Sequence, residues 1–240
     1  MIVIPMVGRS SRFFQAGYAL PKYQLSLNGR SVFWHSVDSF RRYFDDEKFV
    51  FLCRRDFGAQ AFIEAELGQL GVKHFRIHSF EAETRGQADT VYQGLRGVDA
   101  EEPIYVFNID TFRPGFKKAP LSSDGYLEVF VGEGDHWSFI QPGPSSSVVQ
   151  TTEKVRISNL CSNGLYHFKR KGDFDEAFED VSTRQELVRG EFYVAPLYNY
   201  LIQNGKLIRY VVVSPDSVVF CGTPSEYEAL AGRYANTKRN

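Results

Sequence analysis

The chain has 240 residues, with 28 Lys and Arg against 29 Asp and Glu and a formal charge of −1, a balance that excludes a general nucleic-acid or anionic-membrane binder while leaving room for a local basic cleft. No apolar run approaches the ~20 residues of a membrane span, and the amino terminus lacks the basic segment and apolar core of a signal peptide. Aromatic residues make up 15%, with 21 Phe and 13 Tyr to fill a core, and the three separated cysteines Cys53, Cys161 and Cys221 read as reduced thiols of a cytoplasmic protein.

Ile2-Val3-Ile4 opens the chain as a short buried strand. A polar loop follows it, Gly8-Arg9-Ser10-Ser11-Arg12-Phe13, and then the pair Pro21-Lys22. A glycine after a strand lets backbone amides approach an anion. Guanidiniums match phosphate oxygens with a planar fork of donors, and the ring of Pro21 fixes the backbone from which Lys22 reaches. The chemistry suggested is a loop that wraps a polyphosphate. With one glycine it is neither a P-loop nor a dinucleotide fingerprint, and a strand running into a solvated turn accounts for the same residues.

Ser31 caps a predicted helix whose stripe is Phe33, Val37, Phe40 and Phe44. Residues 49–53 read as a strand covered on both faces, and a helix carrying Phe62, Ile63, Leu67 and Leu70 stops at Gly71. Residues 74–78 are a third strand, about 88–95 a helix, and 104–107 a fourth strand. This alternation predicts a parallel sheet with helices on both faces. Farther on, 126–131, 137–140 and 148–152 read as strands without long helices between them, and 142–147 as a mobile loop. A strand at 165–168, a helix at 174–188, a helix opened by Pro196, strands at 207–213 and 218–220, and a helix at 224–231 complete the order. Lys238-Arg239-Asn240 is expected as a frayed tail.

Ligands of an open parallel sheet bind beyond the carboxyl ends of its strands. Three polar groups fall there: loop 8–12, Arg85-Gly86-Gln87, and Asn108-Ile109-Asp110. Beside a polyphosphate, the Asp110 carboxylate would hold Mg²⁺, which favours one or two protein carboxylates with phosphate oxygens and water. Read alone, Asp110 is more simply a turn or cap residue before Thr111, since aspartate after a strand is common.

In this order the segments resemble the sugar-phosphate nucleotidyltransferases, or pyrophosphorylases, that make nucleotide-activated sugars and related surface-polysaccharide precursors. The resemblance spans nearly the whole chain: Gly8 to Phe13 with Pro21-Lys22 looks like the signature loop, Gly86-Gln87-Ala88 like the base-reading turn, and Asn108-Ile109-Asp110 like the metal-binding strand end. Glu153-Lys154 and Asn163-Gly164-Leu165-Tyr166 look like the acceptor-binding segments, and Gly222-Thr223-Pro224 like a late Gly-Thr-Pro turn. It implies a Rossmann-like three-layer α/β/α fold with a mixed, mostly parallel sheet, in a single domain with a nucleotide-binding half (1–115) and an acceptor-binding half (116–240).

The resemblance also implies a reaction, in which an NMP unit moves from an NTP to a small phosphorylated acceptor with release of pyrophosphate. Arg12, Lys22 and Asp110 would be catalytic. Met6, Gly8, Ser10, Ser11, Arg12, Arg85, Gly86, Gln87 and Asn108 would bind nucleotide, and Glu153, Lys154, Gly164 and Glu191 the acceptor. Mg²⁺ would sit on Asp110. A second metal-binding aspartate is often found two residues before the late glycine; Phe220 stands there, leaving Asp216 as a substitute. Further likeness points to a capsular-polysaccharide branch, similar to phosphoglutamine cytidylyltransferases, with CTP favoured and UTP or dTTP open. No nucleic-acid or membrane partner is expected, and homo-oligomerisation stays open. Two rival readings are a nucleotide-sugar glycosyltransferase, whose Asp-x-Asp would here be Asn108-Ile109-Asp110, and a non-catalytic nucleotide-binding regulatory module.

Overall fold

A computed structural model describes residues 1–237, so the tail expected at Lys238-Arg239-Asn240 lies outside the described residues. In chain order the elements are β1 (Ile2–Met6), α1 (Ser11–Gln15), β2 (Ser26–Leu27), β3 (Arg30–Ser31), α2 (Val32–Asp38), β4 (Lys48–Arg54), α3 (Ala59–Leu70) and β5 (His74–Phe80). They continue with α4 (Gln87–Gly94), β6 (Ile104–Phe107), β7 (Thr111–Phe112), β8 (Gly125–Val131), β9 (Ser138–Pro142), β10 (Val148–Glu153) and β11 (Leu160–Phe168). The last are α5 (Lys171–Thr183), α6 (Leu197–Gln203), β12 (Ile208–Val212), β13 (Val219–Phe220) and α7 (Pro224–Thr237).

Nine strands form one mixed sheet ordered β10-β9-β11-β6-β1-β4-β5, with β8 paired to β11 and β12 to β8. Strands β6, β1, β4 and β5 are parallel neighbours, as the alternating first half requires. Antiparallel β11 then joins this half to the second through Leu165↔Phe107 and the pairs after it. Successive side chains on a strand face opposite ways. Val3, Val50, Leu52, Ile104 and Val106 therefore pack under α4, α5 and α6, while Ile2, Ile4, Phe49, Phe51 and Phe107 pack under α2 and α3. The layers are thus helix, sheet, helix. Strand β11 changes register between Ser162 and Tyr166, around Gly164 at φ +90°.

Several expected boundaries shift. Ser31 does cap α2, accepting from Trp34 N at 2.9 Å. The helix nevertheless ends at Asp38, and a 3₁₀ turn over Arg41–Tyr43 brings Phe40 and Phe44 into the same core. The helix expected to reach 188 stops at Thr183, because Glu186 N bonds Val181 O at 3.1 Å and Gln185 and Arg189 take left-handed backbones. Residues 142–147 form a tight turn, with Gly143 N on Ser147 O at 2.7 Å and Arg209 donating to Ser145 O. Among the described residues, no helix is long and apolar enough to cross a membrane.

Candidate active site

Beyond the carboxyl ends of β1 and β6 lies a cleft of about 500 Å³. Met6, Gly8, Arg9, Ser10, Ser11, Lys22, Arg85, Gly86, Gln87, Asn108, Asp110 and Glu191 line it, joined by Tyr23, Glu83 and Thr84, to which the sequence alone gave no role. The signature loop is bent by Ser10, whose backbone is left-handed at φ 54°. Its carbonyl accepts from Phe13 N and Phe14 N to start α1, and its Oγ accepts from Lys22 N at 3.1 Å. That bond ties the loop to the Pro21-Lys22 turn and aims Lys22 inward.

Lys22 Nζ donates to Asp110 Oδ2 at 2.5 Å, with both side chains about one-fifth exposed at 22% and 21%. Burial works to push the Asp110 carboxyl up, but the charge and hydrogen bond of Lys22, helped by the Arg12 charge, outweigh it and hold the carboxyl below its ordinary range. Asp110 is therefore an anion facing cations. Arg12 itself is exposed and not on the cleft wall, although its charge is felt at both Asp110 and Lys154.

Opposite stands the turn before α4. Gln87 Nε2 donates to Asn108 Oδ1 at 2.6 Å, linking two predicted nucleotide contacts. The Arg85 guanidinium is held by Asp89 at 3.3 Å and lies 4.9 Å from the Phe192 ring centre, so it braces the turn. Gly86 has φ +121°, and a Cβ there would stand 2.6 Å from both the N and O of Phe192. Close approach to Phe192 is what this glycine permits: Phe192 N donates to Arg85 O at 2.7 Å and Ala88 N to Phe192 O at 3.0 Å. The segment around Glu191 is thereby docked at the cleft.

Glu153 and Lys154 do not line the cleft but form an adjoining cluster. Lys154, in a left-handed backbone at φ 56°, donates to Tyr193 Oη and lies 3.8 Å from Glu153 Oε1. Burial raises the Glu153 carboxyl above its ordinary value, against the lowering pull of the Ser138 hydroxyl bond and the Lys154 charge. Burial also lowers the Lys154 ammonium. A carboxyl whose pKa is raised on folding favours the fold below its unfolded pKa and loses that contribution as pH rises through the folded value. Glu153→Gln is accordingly expected to raise the melting temperature at pH 8, with the gain shrinking toward pH 4, as melts across that range would show.

Two predicted site residues fall elsewhere. Gly164 is buried under Asn108, where a Cβ would meet Asn108 Nδ2 at 2.4 Å, so it shapes the strand end from behind. Asp216 is exposed on the 3₁₀ turn Pro215–Ser217, off the cleft wall. Strand β13 pairs Phe220 with Thr111, and the Phe220 ring packs on Trp137 and Phe130 at 4.6 and 5.1 Å, so an apolar contact occupies the second-carboxylate position. Two carboxylates stand at the Gly222 turn: Asp110, whose Oδ2 would lie 2.9 Å from a Cβ at Gly222, and Glu226, which accepts from Gly222 N and Thr223 N at 2.9 Å as a helix cap. Among the described residues there is no cluster of three or more metal-ligating acids, histidines or cysteines. Tyr193 was missed, though residues 191–193 alternate exposed, buried and half-buried, which places it on the same side as Glu191.

No protein-family model and no curated protein matches the chain. Among solved structures, a nucleoside-diphosphate-sugar pyrophosphorylase from Vibrio cholerae RC9 is 51% identical, with 97% of this chain and 100% of that chain covered and a TM-score of 0.93. The inositol-1-phosphate CTP transferase from T. maritima, at 14% identity, covers 97% of this chain and 95% of its own with a TM-score of 0.74. A UTP-bound UGPase from Acinetobacter baumannii, at 16%, covers 97% and 92% with a TM-score of 0.67. The last two share the fold. With a cleft assembled from the signature loop, the Gln87 turn and Asp110, and a relative of that identity over its full length, the chain belongs to the nucleoside-diphosphate-sugar pyrophosphorylases, a nucleotidyltransferase family.

Proposed function

We propose that this chain transfers a nucleotidyl group, with CTP the favoured donor and UTP or dTTP the alternatives, to a small phosphorylated acceptor such as a sugar-1-phosphate or phosphoglutamine, in the cytoplasm and in the service of capsule or surface-polysaccharide synthesis. The observation that carries the reading is the Lys22–Asp110 pair at 2.5 Å inside the cleft, an anion and a cation held where phosphates would meet the strand ends. The acceptor phosphate, already an anion, needs no general base to attack the α-phosphorus in line with the leaving pyrophosphate. Catalysis then reduces to positioning and charge neutralisation. Lys22 serves the α-phosphate, Arg12 the β- and γ-phosphates, and Lys154 the acceptor phosphate. Glu153, Glu191 and Tyr193 form the polar wall for acceptor hydroxyls or amines.

The donor set fits Mg²⁺ held by Asp110 with phosphate oxygens and water: the carboxyl is kept ionised, and Lys22, which now compensates it, is the group assigned to the α-phosphate. When bound, the ion would neutralise charge on the phosphates and the leaving group. With Phe220 packed away and Asp216 off the cleft, a single protein carboxylate suffices for this arrangement.

A panel of four triphosphates against sugar-1-phosphates, inositol-1-phosphate, phosphocholine and phosphoglutamine, read by pyrophosphate, tests the reading. Release that needs both a triphosphate and one phosphorylated acceptor is expected, whereas hexosyl transfer from a nucleotide sugar would favour a glycosyltransferase, and nucleotide binding without product a regulatory module. Arg12→Ala is expected to weaken triphosphate binding about tenfold, as loss of a charge-assisted contact does, with less effect on acceptor binding; separate calorimetric titrations distinguish the two.

A further inference from the structure

Two guanidiniums share one carboxylate at the cleft. Glu83 Oε1 accepts from Arg9 Nε and, at 3.1 Å, from Arg54, which also donates to Asp56. Arg9 belongs to the signature loop after β1, and Glu83 to the segment between β5 and α4. Both residues line the cleft, so their ion pair spans the two walls between which a nucleotide must enter. The partners are unequally held. Arg9 is 68% exposed, whereas Arg54 is 27% exposed and braced by two carboxylates. An ion pair as exposed as Arg9–Glu83 contributes little in water, whereas a guanidinium on phosphate oxygens makes charge-assisted bonds in a matched geometry.

We propose that Arg9 is a triphosphate-binding residue parked on Glu83, and that nucleotide entry exchanges the carboxylate for phosphate oxygens. Arg54 keeps Glu83 compensated after Arg9 leaves. Glu83 competes with the triphosphate for Arg9 and so weakens binding. The inference rests on the nucleotidyltransferase reading of the same cleft.

Calorimetric titration without acceptor tests it, using CTP, UTP, dTTP and inorganic tripolyphosphate as probes. Glu83→Gln is expected to bind the triphosphate that the wild type selects about threefold to fivefold more tightly, within the range of an exposed ion pair. It should bind tripolyphosphate more tightly by a similar factor, because the released group is a phosphate ligand. Arg9→Ala is expected to bind both about tenfold more weakly, and the double variant to match Arg9→Ala. Unchanged or weaker binding by Glu83→Gln overturns the proposal, as does a gain seen with nucleotides and missing with tripolyphosphate. A wild-type chain that binds none of the nucleotides overturns the functional reading itself, a result separable from failure of the exchange alone.

Discussion

Asp110→Asn is expected to lower turnover by about 10²-fold to 10³-fold, the scale on which preorganised charge at a reacting centre acts, while leaving the fold intact. The substitution is nearly isosteric, and the backbone carbonyl that accepts from Cys221 N at 2.8 Å is unaffected. Lys22, about one-fifth exposed at 22%, stays within reach of water when its partner loses its charge. The active anion is lost, and with it the residue proposed to hold Mg²⁺. The sign of the pH effect is also set. A carboxyl lowered on folding stabilises the protein above its unfolded pKa, and that contribution is lost as pH falls through the folded value. The asparagine variant should lack this part of the acid-side loss, as melting curves from pH 7 down to 3 would reveal, while pyrophosphate release measures the turnover. Wild-type turnover in the variant would contradict the assignment.

Gly86→Ala is expected to lower stability by about 3 kcal/mol or more, as a new side chain in a forbidden backbone region pressed against main chain does. At a chain of this length that is a fall in melting temperature of roughly 6–12 °C. The added methyl would stand 2.6 Å from the amide and carbonyl of Phe192, neither of which can swing aside as a side-chain tip would. Relief requires the 191–193 segment to leave the Gln87 turn, which separates Glu191 and Tyr193 from the nucleotide wall. Nucleotide affinity and acceptor affinity should therefore fall together. A variant that melts within 1 °C of wild type would remove Gly86 from this role.

The first half of the fold was legible because strands and helices alternate there with clear periods. Phe49 to Cys53 and Ile104 to Phe107 are apolar on both faces, and the structure buries both runs between helical layers. Of the short β7–β13 pairing only β13 was expected, within 218–220; β7 left no trace, since two residues carry no period and its partner lies about a hundred positions away. Helix ends were set by tertiary contacts: Phe40 fits the helical stripe but reaches the core from a turn after α2 has ended. At the cleft, the meeting of loop 8–12, Gln87 and Asp110 was legible because each follows the carboxyl end of a predicted strand. Tyr193 and Glu83 were not. Their positions arise from chain segments brought together by the Phe192 backbone bonds and by the bonds of Arg9 and Arg54 to Glu83, and spacing in the sequence does not encode such meetings. Asp216 is the converse case, an acidic residue at a plausible spacing that the 3₁₀ turn leaves in solvent.

The central claim is that the cleft joins the α-phosphorus of a nucleoside triphosphate to the phosphate of an acceptor. Phosphorus NMR of the wild-type chain with Mg²⁺, the preferred triphosphate and the preferred acceptor follows every phosphorus atom at once. The account predicts one new diphosphate-ester pair of resonances and one equivalent of inorganic pyrophosphate, with neither component formed when the acceptor is left out. Formation of nucleoside diphosphate and orthophosphate, or transfer that leaves the acceptor phosphate unesterified, would contradict it.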